Sequence, residues 1–187
     1  EVYVDGAWLP GEREVVHRAE VIGFNPKLGE SVLDLGCCTG GFLQLAAQRG
    51  AGPLIGVDSR EEYVALARSL ARAGGYNICF RQADLTERKF QMGELRAWWR
   101  DVFPGGAPDH LLVLSMAKHL GEELMWWWID AIGAGTTYVE SNACGEGQWP
   151  LQAGAQARGG AYGGLTHDRN LRRVYRLHRD PCKDAGT

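Results

Sequence analysis

The stretch that decides the fold is VLDLGCCTGGF, which runs from Val32 to Phe42. Its first half is a short apolar run that predicts a buried strand, and its second half is a glycine-rich turn that leads into an amphipathic segment. Such a turn leaves backbone N–H groups pointing outward, and its glycines, Gly36 and Gly40, let a ligand approach where a Cβ atom would block it. The stretch therefore predicts a nucleotide-shaped binding site.

Outward from this unit, short apolar runs alternate with amphipathic segments. The runs predict strands at residues 31–35, 54–58, 78–81, 110–115 and 137–140. The amphipathic segments predict helices at residues 12–22, 40–48, 63–71, 95–102 and 122–132. This alternation is typical of an α/β fold with a mainly parallel sheet. Near the end of the chain, residues 145–164 show little periodicity and predict a long loop, and residues 171–178 predict a strand with one solvated face.

The charge pattern of the glycine turn separates two classes of nucleotide ligand. A dinucleotide-binding turn has the pattern G-x-G-x-x-G and holds a pyrophosphate. Here Cys38 stands at the second glycine, and Asp34 lies two residues before the first. The carboxylate of Asp34 would repel a pyrophosphate, but it would attract a cation or an ammonium group. The ligand that combines adenosine with an ammonium group and a sulfonium is S-adenosylmethionine, so the pattern favours methyl transfer.

Two further acidic residues follow predicted strands. Asp58 closes the second strand, 22 residues after Gly36, and Asp84 comes directly after the third. An acidic side chain at the place of Asp58 can accept hydrogen bonds from both ribose hydroxyls. The carboxyl ends of parallel strands form the edge where open α/β sheets bind ligands. We therefore expect Asp34, Asp58 and Asp84 to meet at one site.

The segments VLDLGCCTGGF, GVD (residues 56–58) and QADL (residues 82–85) resemble motifs of class I S-adenosylmethionine-dependent methyltransferases. The resemblance covers roughly residues 31–140 and implies a Rossmann-like three-layer sandwich with an antiparallel C-terminal strand or hairpin. It also implies S-adenosylmethionine as cofactor and S-adenosylhomocysteine as product. In this family the place of Asp84 bonds the adenine amine, and Leu85 offers its backbone N–H. The implied cofactor-binding residues are Asp34, Gly36, Cys37, Cys38, Thr39, Gly40, Phe42, Asp58, Ser59, Asp84, Leu85 and Ser115.

The segment LSMAKHL (residues 114–120) resembles the substrate-facing motif of many small-molecule methyltransferases. His119 is the candidate general base, because an imidazole can take a proton from an attacking hydroxyl or amine. Lys118 is a candidate for orienting an anionic acceptor, although a solvent-facing pair fits the sequence equally well. Further acceptor-binding candidates are Glu140, Asn142, Tyr162 and His167, with the loop at 145–164 as a lid and with Trp8 and Arg18 on the other side.

The composition bounds the class of protein. The 187 residues fit one domain, with a cap at 1–30, a cofactor-binding core at 31–142 and a loop and C-terminal strand region at 143–187. The net charge of -3 offers no basic field for a phosphate backbone, so RNA is not favoured as a partner. No apolar run approaches the roughly 20 residues that cross a bilayer. The five cysteines form no disulfide framework, which favours a reducing compartment and hence the cytoplasm. Methyl transfer needs no metal, and no metal site is expected.

Three functions remain open at the level of the sequence. The leading hypothesis is methylation of an oxygen or nitrogen of a small molecule, because the chain is acidic and compact. The second is methylation of an RNA end or base, because LSMAKHL also resembles RNA-end methyltransferases and because basic residues cluster late, at Arg169, Arg172, Arg173, Arg176 and Arg179. The third is a non-catalytic module that binds S-adenosylmethionine. It is suggested by Cys38 at the place of a glycine and by the C-terminal half, where few strands or helices are predicted.

Overall fold

The computed structural model describes residues 2–4, 7–9, 14–86, 93–94, 97–99, 101–103, 105–141, 148–165 and 172–179. The strands are β1 (Val2–Val4), β2 (Ala7–Leu9), β3 (Val32–Leu35), β4 (Leu54–Asp58), β5 (Cys79–Gln82), β6 (His110–Leu114), β7 (Thr136–Glu140), β8 (Ala161–Leu165) and β9 (Arg173–His178). The helices are α1 (Val15–Ile22), α2 (Gly41–Gln48), α3 (Glu61–Ala73), α4 (Ala117–Leu120), α5 (Glu122–Ile132) and α6 (Gln148–Ala157).

The main sheet has the strand order β5-β4-β3-β6-β7-β9-β8. Strands β5 to β7 of this order are parallel, and β9 and β8 are antiparallel to their neighbours. The order reverses at β3, because β4 lies on one side of it and β6 on the other. A reversal of this kind opens a crevice at the carboxyl ends of the strands, which is where an open α/β sheet binds its ligands.

Helices cover both faces of the sheet, and the alternation of side chains along each strand divides the core in two. Val32 and Leu112 belong to the cluster that packs against α1, α2 and α3. Leu33 and Leu111 point the other way and join the cluster that contains Trp128 of α5. Parallel strands covered on both faces read as mainly apolar runs, as β3 and β6 do apart from Asp34 and His110. The three-layer α/β fold class predicted from the sequence is confirmed.

The C-terminal region differs from its prediction. Residues 145–164 were expected to form a loop, but α6 and β8 occupy the described part of this segment. Glycines hide both elements in the sequence: Gly154 packs directly against the ring of Trp126, and the N–H of Gly160 closes α6 by donating to the carbonyl of Ala155 at 2.8 Å. Strand β8 pairs with β9, so the expected antiparallel strand or hairpin at the C-terminal end is a hairpin, one strand of which the sequence did not predict.

The predicted solvated face of β9 is also wrong. Val174 and Tyr175, which point to opposite faces, are both buried. Arg176 is half-buried, and its guanidinium donates to the carbonyl of Ile22 at 2.8 Å and lies 5.6 Å from the ring of Tyr138. Arg173 is also half-buried and donates to the side-chain oxygen of Gln152 at 3.2 Å, so the two arginines of β9 contact α6 and α1 rather than forming a solvated face.

The N-terminal region adds a hairpin, β1 paired with β2, that the sequence did not predict. The helix expected at 12–22 begins at Val15. The helix expected at 95–102 lies partly outside the described residues. Among the described helices, none combines the length and the apolar character that crossing a bilayer requires.

Candidate active site

A cleft of about 560 Å³ opens at the carboxyl ends of β3, β4, β5 and β6. Its position follows from the reversal of strand order at β3, and its volume lies within the usual range of small-molecule sites. The residues that line it are Val15, Arg18, Asp34, Gly36, Cys37, Cys38, Thr39, Gly41, Phe42, Asp58, Ser59, Arg60, Tyr63, Ala83, Asp84, Leu85, Thr86, Leu114, Ser115, Met116, His119 and Leu120. The three acidic residues predicted to meet are therefore brought together.

The glycine turn forms the floor of the cleft. Gly36 has φ +75°, and a Cβ atom there would collide with the side chain of Met116. Cys38 has φ +50°, a left-handed conformation that favours glycine, so the backbone keeps the shape of the usual motif despite the side chain. Gly40 has φ +77° and precedes α2, beneath the ring of Phe80, and it does not line the cleft.

Asp58 joins the glycine turn to the loop after β4. One of its carboxylate oxygens accepts the N–H of Cys38 at 2.9 Å, and the other accepts the N–H of Arg60 at 3.0 Å. Each carboxylate oxygen has two lone pairs, so both can accept a further hydrogen bond from a ligand hydroxyl. The carboxylate is thereby held in one orientation at the mouth of the cleft.

Asp84 and Leu85 form the next wall. Oδ1 of Asp84 accepts hydrogen bonds from the N–H of Thr86 at 2.9 Å and from its hydroxyl at 2.8 Å. The carbonyl of Leu85 accepts the indole N–H of the fully buried Trp128 at 2.8 Å. A side chain of α5 thus fixes the loop that follows β5.

Asp34 is the most deeply buried acid of the cleft, with 4% of its surface exposed. Burial raises the pKa of its carboxyl to about 7, the charge of Asp58 raises this pKa further, and Arg18 opposes the rise. Burial also raises the pKa of the Cys38 thiol, which keeps that thiol in its neutral form. Near pH 7 the Asp34 carboxyl is therefore only partly ionised, and a bound cation would favour its ionised form.

Glu140, predicted to bind the acceptor, does not line the cleft. It is fully buried behind Ser115, and its carboxylate accepts hydrogen bonds from Arg18 at 2.8 and 3.2 Å and from the Ser115 hydroxyl at 2.5 Å. Arg172 forms an ion pair with the same carboxylate at 3.4 Å. Arg18 in turn lies over the ring of Phe42, 5.1 Å from its centroid, and reaches the cleft.

The remaining acceptor-side candidates are spread over the molecule. His119 of α4 is exposed and lines the cleft, whereas its neighbour Lys118 is exposed outside the lining. Tyr162 lies on the edge strand β8 beside Tyr175, with ring centroids 6.0 Å apart, and does not line the cleft. Asn142 and His167 lie outside the described residues, as does the side chain of Trp8.

Several lining residues were not singled out from the sequence. The guanidinium of Arg60 lies 4.1 Å from the centroid of the Tyr63 ring, and both residues follow Asp58 closely enough to have been suspected. Met116 and Leu120 share α4 and its N-terminal end with His119, within LSMAKHL. Val15 precedes Arg18 on α1, and the sequence offered no signal for it. Among the described residues, no group of three His, Cys, Asp or Glu side chains could hold a metal ion.

The sequence matches to known proteins each cover a part of the chain. A family model described as "Methyltransferase domain" matches residues 32–104. A carboxy-S-adenosyl-L-methionine synthase of Wolinella succinogenes is 39% identical over 74 residues, which cover 37% of this chain and 30% of that protein. An uncharacterized protein of Haemophilus influenzae is 38% identical over 66 residues, which cover 34% of this chain and 26% of that protein. The matched segments thus span about a third or less of the curated relatives.

Solved structures resemble the chain over most of its length. A SAM-dependent methyltransferase from Aquifex aeolicus has a TM-score of 0.61 at 13% identity, covering 86% of this chain and 87% of that one. The magnesium protoporphyrin IX methyltransferase of Synechocystis, solved with bound SAM, has a TM-score of 0.60 at 20% identity, covering 89% of this chain and 74% of that one. At these identities the likeness establishes the fold.

Proposed function

We propose that this chain is a class I S-adenosylmethionine-dependent methyltransferase that transfers a methyl group to an oxygen or nitrogen of a small-molecule acceptor, in keeping with the methyltransferase-domain model that matches residues 32–104 and with the fold it shares with solved methyltransferases. One observation carries the proposal. Asp34, Asp58 and Asp84, from the ends of three parallel strands, meet around a glycine turn in a single cleft of about 560 Å³. Their convergence supports a site for an adenosine ligand that has a positive charge on its tail.

The chain's residues fit S-adenosylmethionine. Gly36 has φ +75°, which glycine adopts without strain, and it lines the cleft without a side chain of its own, so a ligand can approach its backbone closely. We assign Asp58 to the ribose hydroxyls, Asp84 and the Leu85 N–H to the adenine, and Asp34 to the positively charged tail. When bound, S-adenosylmethionine supplies a methyl group already activated by its sulfonium.

On the acceptor side we assign His119 as the general base. Its position in the lining and its exposure leave the ring accessible to an acceptor that enters the cleft. A ring nitrogen would take the proton that the acceptor's hydroxyl or amine loses on attack. Lys118 lies outside the lining and has no part in this assignment.

The contacts of the late arginines support a small acceptor over RNA. Arg172 pairs with the buried Glu140, Arg176 donates to the carbonyl of Ile22, and Arg179 donates to the carbonyl of Gly133 at 2.7 Å. Guanidinium groups committed to internal partners offer little to a phosphate backbone. Together with the net charge of -3, these contacts weigh against an RNA substrate, while Arg169 lies outside the described residues.

The backbone at Cys38 removes one of the two grounds for a non-catalytic module. Since its φ of +50° reproduces the left-handed turn that a glycine would form, the substitution leaves the cofactor-binding backbone in place. The accessible His119 on the same cleft supports a catalytic role. A module that only binds the cofactor would require the backbone of the turn but would have no use for His119.

Calorimetry with S-adenosylmethionine and S-adenosylhomocysteine is the first test, at about 100 μM ligand, a concentration within the usual range of substrate constants. Absence of binding by both ligands would refute the proposal. Release of S-adenosylhomocysteine should then be measured over a panel of small phenols, alcohols, amines and short RNAs. Turnover with RNA alone would favour the RNA alternative, and binding without turnover would favour the non-catalytic module.

The role of His119 is tested with His119→Ala and a matched control, His178→Ala, which removes an exposed histidine of β9 away from the cleft. We expect His119→Ala to lower kcat by roughly 100-fold or more, the usual contribution of a general base, with little change in cofactor affinity. His178→Ala should change neither. A loss of cofactor affinity at unchanged kcat would move His119 out of the catalytic role.

A further inference from the structure

Glu140 is a charged residue placed where no ligand can reach it. It closes β7 and has no exposed surface. Its Oε1 accepts the Nε hydrogen of Arg18 at 3.2 Å, and its Oε2 accepts the Nη2 hydrogen of Arg18 at 2.8 Å and the hydroxyl of Ser115 at 2.5 Å. Arg172 approaches Oε2 at 3.4 Å and also donates to the Ser115 hydroxyl. One carboxylate thus connects α1, the turn after β6 and the start of β9.

Burying these three charged groups costs free energy, so the array is an inefficient way to stabilise the fold. Moving three charged groups out of water is expensive, and an apolar cluster of equal volume is often as stable or more so. The two arginines and one glutamate also leave an excess positive charge inside the protein. Such an array points to a role in positioning a group that has to meet a ligand.

Arg18 is the member of the array that meets the cleft. Its Nε and Nη2 face Glu140, and the guanidinium lies over the Phe42 ring, so the plane of the group is held on two sides. Among the described residues, its Nη1 has no hydrogen-bond partner, and the side chain lines the cleft with 10% of its surface exposed. Arginine presents its donors in a rigid fork that suits a carboxylate.

Ser115 is the second group that Glu140 fixes. Its φ of +63° is rare for a residue with a side chain, and its N–H donates to the Glu140 carbonyl at 3.0 Å. Glu140 therefore holds this strained turn by two hydrogen bonds, one from the N–H of Ser115 and one from its hydroxyl. The turn leads directly into Met116 and α4, the elements that carry the lining beside His119.

We propose that Glu140 is a positioning residue, which acts through Arg18 to present a fixed guanidinium to a carboxylate of the bound ligand. The proposal rests on the proposed function, because it assigns the anionic group of a ligand in that same cleft. Either the cofactor or the acceptor supplies the carboxylate. In both cases Glu140 never touches the ligand, and its loss changes binding only while Arg18 is present.

The test compares wild type, Glu140→Gln, Arg18→Met and the double variant by calorimetry. The probes are S-adenosylhomocysteine and 5′-methylthioadenosine, which has the adenosine thioether without the amino-acid group. Benzoate and benzamide, titrated in the presence of saturating S-adenosylhomocysteine, test the acceptor side. Arg158→Met, which removes an arginine paired with the exposed Asp130, is the matched control. If the Glu140→Gln variant does not fold, the variant that combines Glu140→Gln with Arg172→Gln is used in its place, because it removes one charge of each sign.

We expect Arg18→Met to weaken binding of the carboxylate-containing probe by roughly tenfold or more, the worth of a charged hydrogen bond, and to leave the other probe of the pair unchanged. Glu140→Gln should lower the same selectivity, and it should add nothing in the Arg18→Met background. A change confined to the adenosine pair identifies the cofactor's carboxylate, and a change confined to the benzoate pair identifies the acceptor's.

Two results would overturn the inference. One is an equal loss of affinity for both members of each pair, and the other is an additive double variant, since either would mean that Glu140 has a merely structural role. If wild type binds S-adenosylhomocysteine and these results appear, only the positioning role fails. If wild type binds neither cofactor ligand, the proposed function itself fails.

Discussion

Two walls of the cleft use acidic residues in opposite ways. On one wall, Asp58 closes a parallel strand and directs its carboxylate towards the cleft. Behind the other wall, Glu140 also closes a parallel strand, but its carboxylate is buried and forms ion pairs with Arg18 and Arg172. The partners of Asp58 are backbone groups of the turns at the cleft, whereas Arg18 is 122 residues away from Glu140. Position at a strand end therefore identifies a candidate residue, and its partners decide whether it binds ligand or holds a neighbour.

The largest effect should come from removing the buried carboxylate of Glu140. Glu140→Gln leaves Arg18 and Arg172 buried beside a neutral group, so we expect the free energy of unfolding to fall by about 3–5 kcal/mol. Asp130→Asn breaks the half-exposed pair with Arg158 and should cost at most about 1 kcal/mol. Urea unfolding of both variants measures the difference. Equal losses would mean that burial does not distinguish the two ion pairs.

Loss of the Asp58 carboxylate, which faces the cleft, should instead change the affinity for ligand. Asp58→Ala removes an oriented carboxylate that is assigned to two ribose hydroxyls, and we expect cofactor binding to weaken by about 1–3 kcal/mol. Asp130→Ala is the control, because Asp130 lies on α5 outside the cleft lining. Calorimetry with S-adenosylhomocysteine measures both variants. Unchanged affinity in Asp58→Ala would remove Asp58 from the cofactor site.

Asp34 predicts a pH dependence that sharpens the contrast. With a folded-state pKa of about 7 against an ordinary value of 3.8, the folded protein keeps a proton that the unfolded chain releases. Its contribution to stability is therefore greatest at low pH and is lost as pH rises from about 4 to 7. Cationic S-adenosylmethionine prefers the ionised carboxylate, so its affinity should rise by about tenfold between pH 6 and pH 8. Asp34→Asn should abolish both trends, and persistence of either in that variant would assign it to another group.

The smallest effect concerns Cys38, where the turn departs from the usual glycine. Cys38→Gly relieves a left-handed conformation and should change stability by less than about 1 kcal/mol, in the stabilising direction, without loss of cofactor affinity. Cys79→Gly, in the strand β5, should be destabilising by a similar amount because glycine weakens a strand. Thermal unfolding compares the two. A destabilised Cys38→Gly would show that the thiol stabilises the turn by its contacts.

What the sequence revealed depended on local pattern. The second strand, at 54–58, was predicted to the residue because an apolar run ends there at an acid between glycine-containing turns. The glycine turn, Asp58 and Asp84 were found because each lies a short distance from its strand. The meeting of the glycine turn, Asp58 and Asp84 in one cleft was therefore predictable from local sequence, although Arg60 and Tyr63, which line the same cleft, were not singled out.

What the sequence concealed depended on contacts between distant residues. The glycines of α6 and β8 lower local propensity, and these elements form because Gly154 packs on Trp126 and because β8 pairs with β9. Alternating arginines in β9 resembled a solvated face, since nothing local indicates that Arg176 reaches Ile22, 154 residues away. Glu140 was assigned to the acceptor for the same reason.

The hydrogen bond from Trp128 to Leu85 makes Trp128 an intrinsic fluorescent probe of the cleft. The indole is fully buried, so its emission is set by the groups it touches, and the carbonyl it touches belongs to a loop of the cleft. Filling the cleft and shifting that loop would alter the emission of Trp128 from within, without any added dye. Trp128→Phe would remove that component together with the hydrogen bond to Leu85, so comparison with this variant identifies the part of a ligand-induced change in intrinsic fluorescence that comes from Trp128.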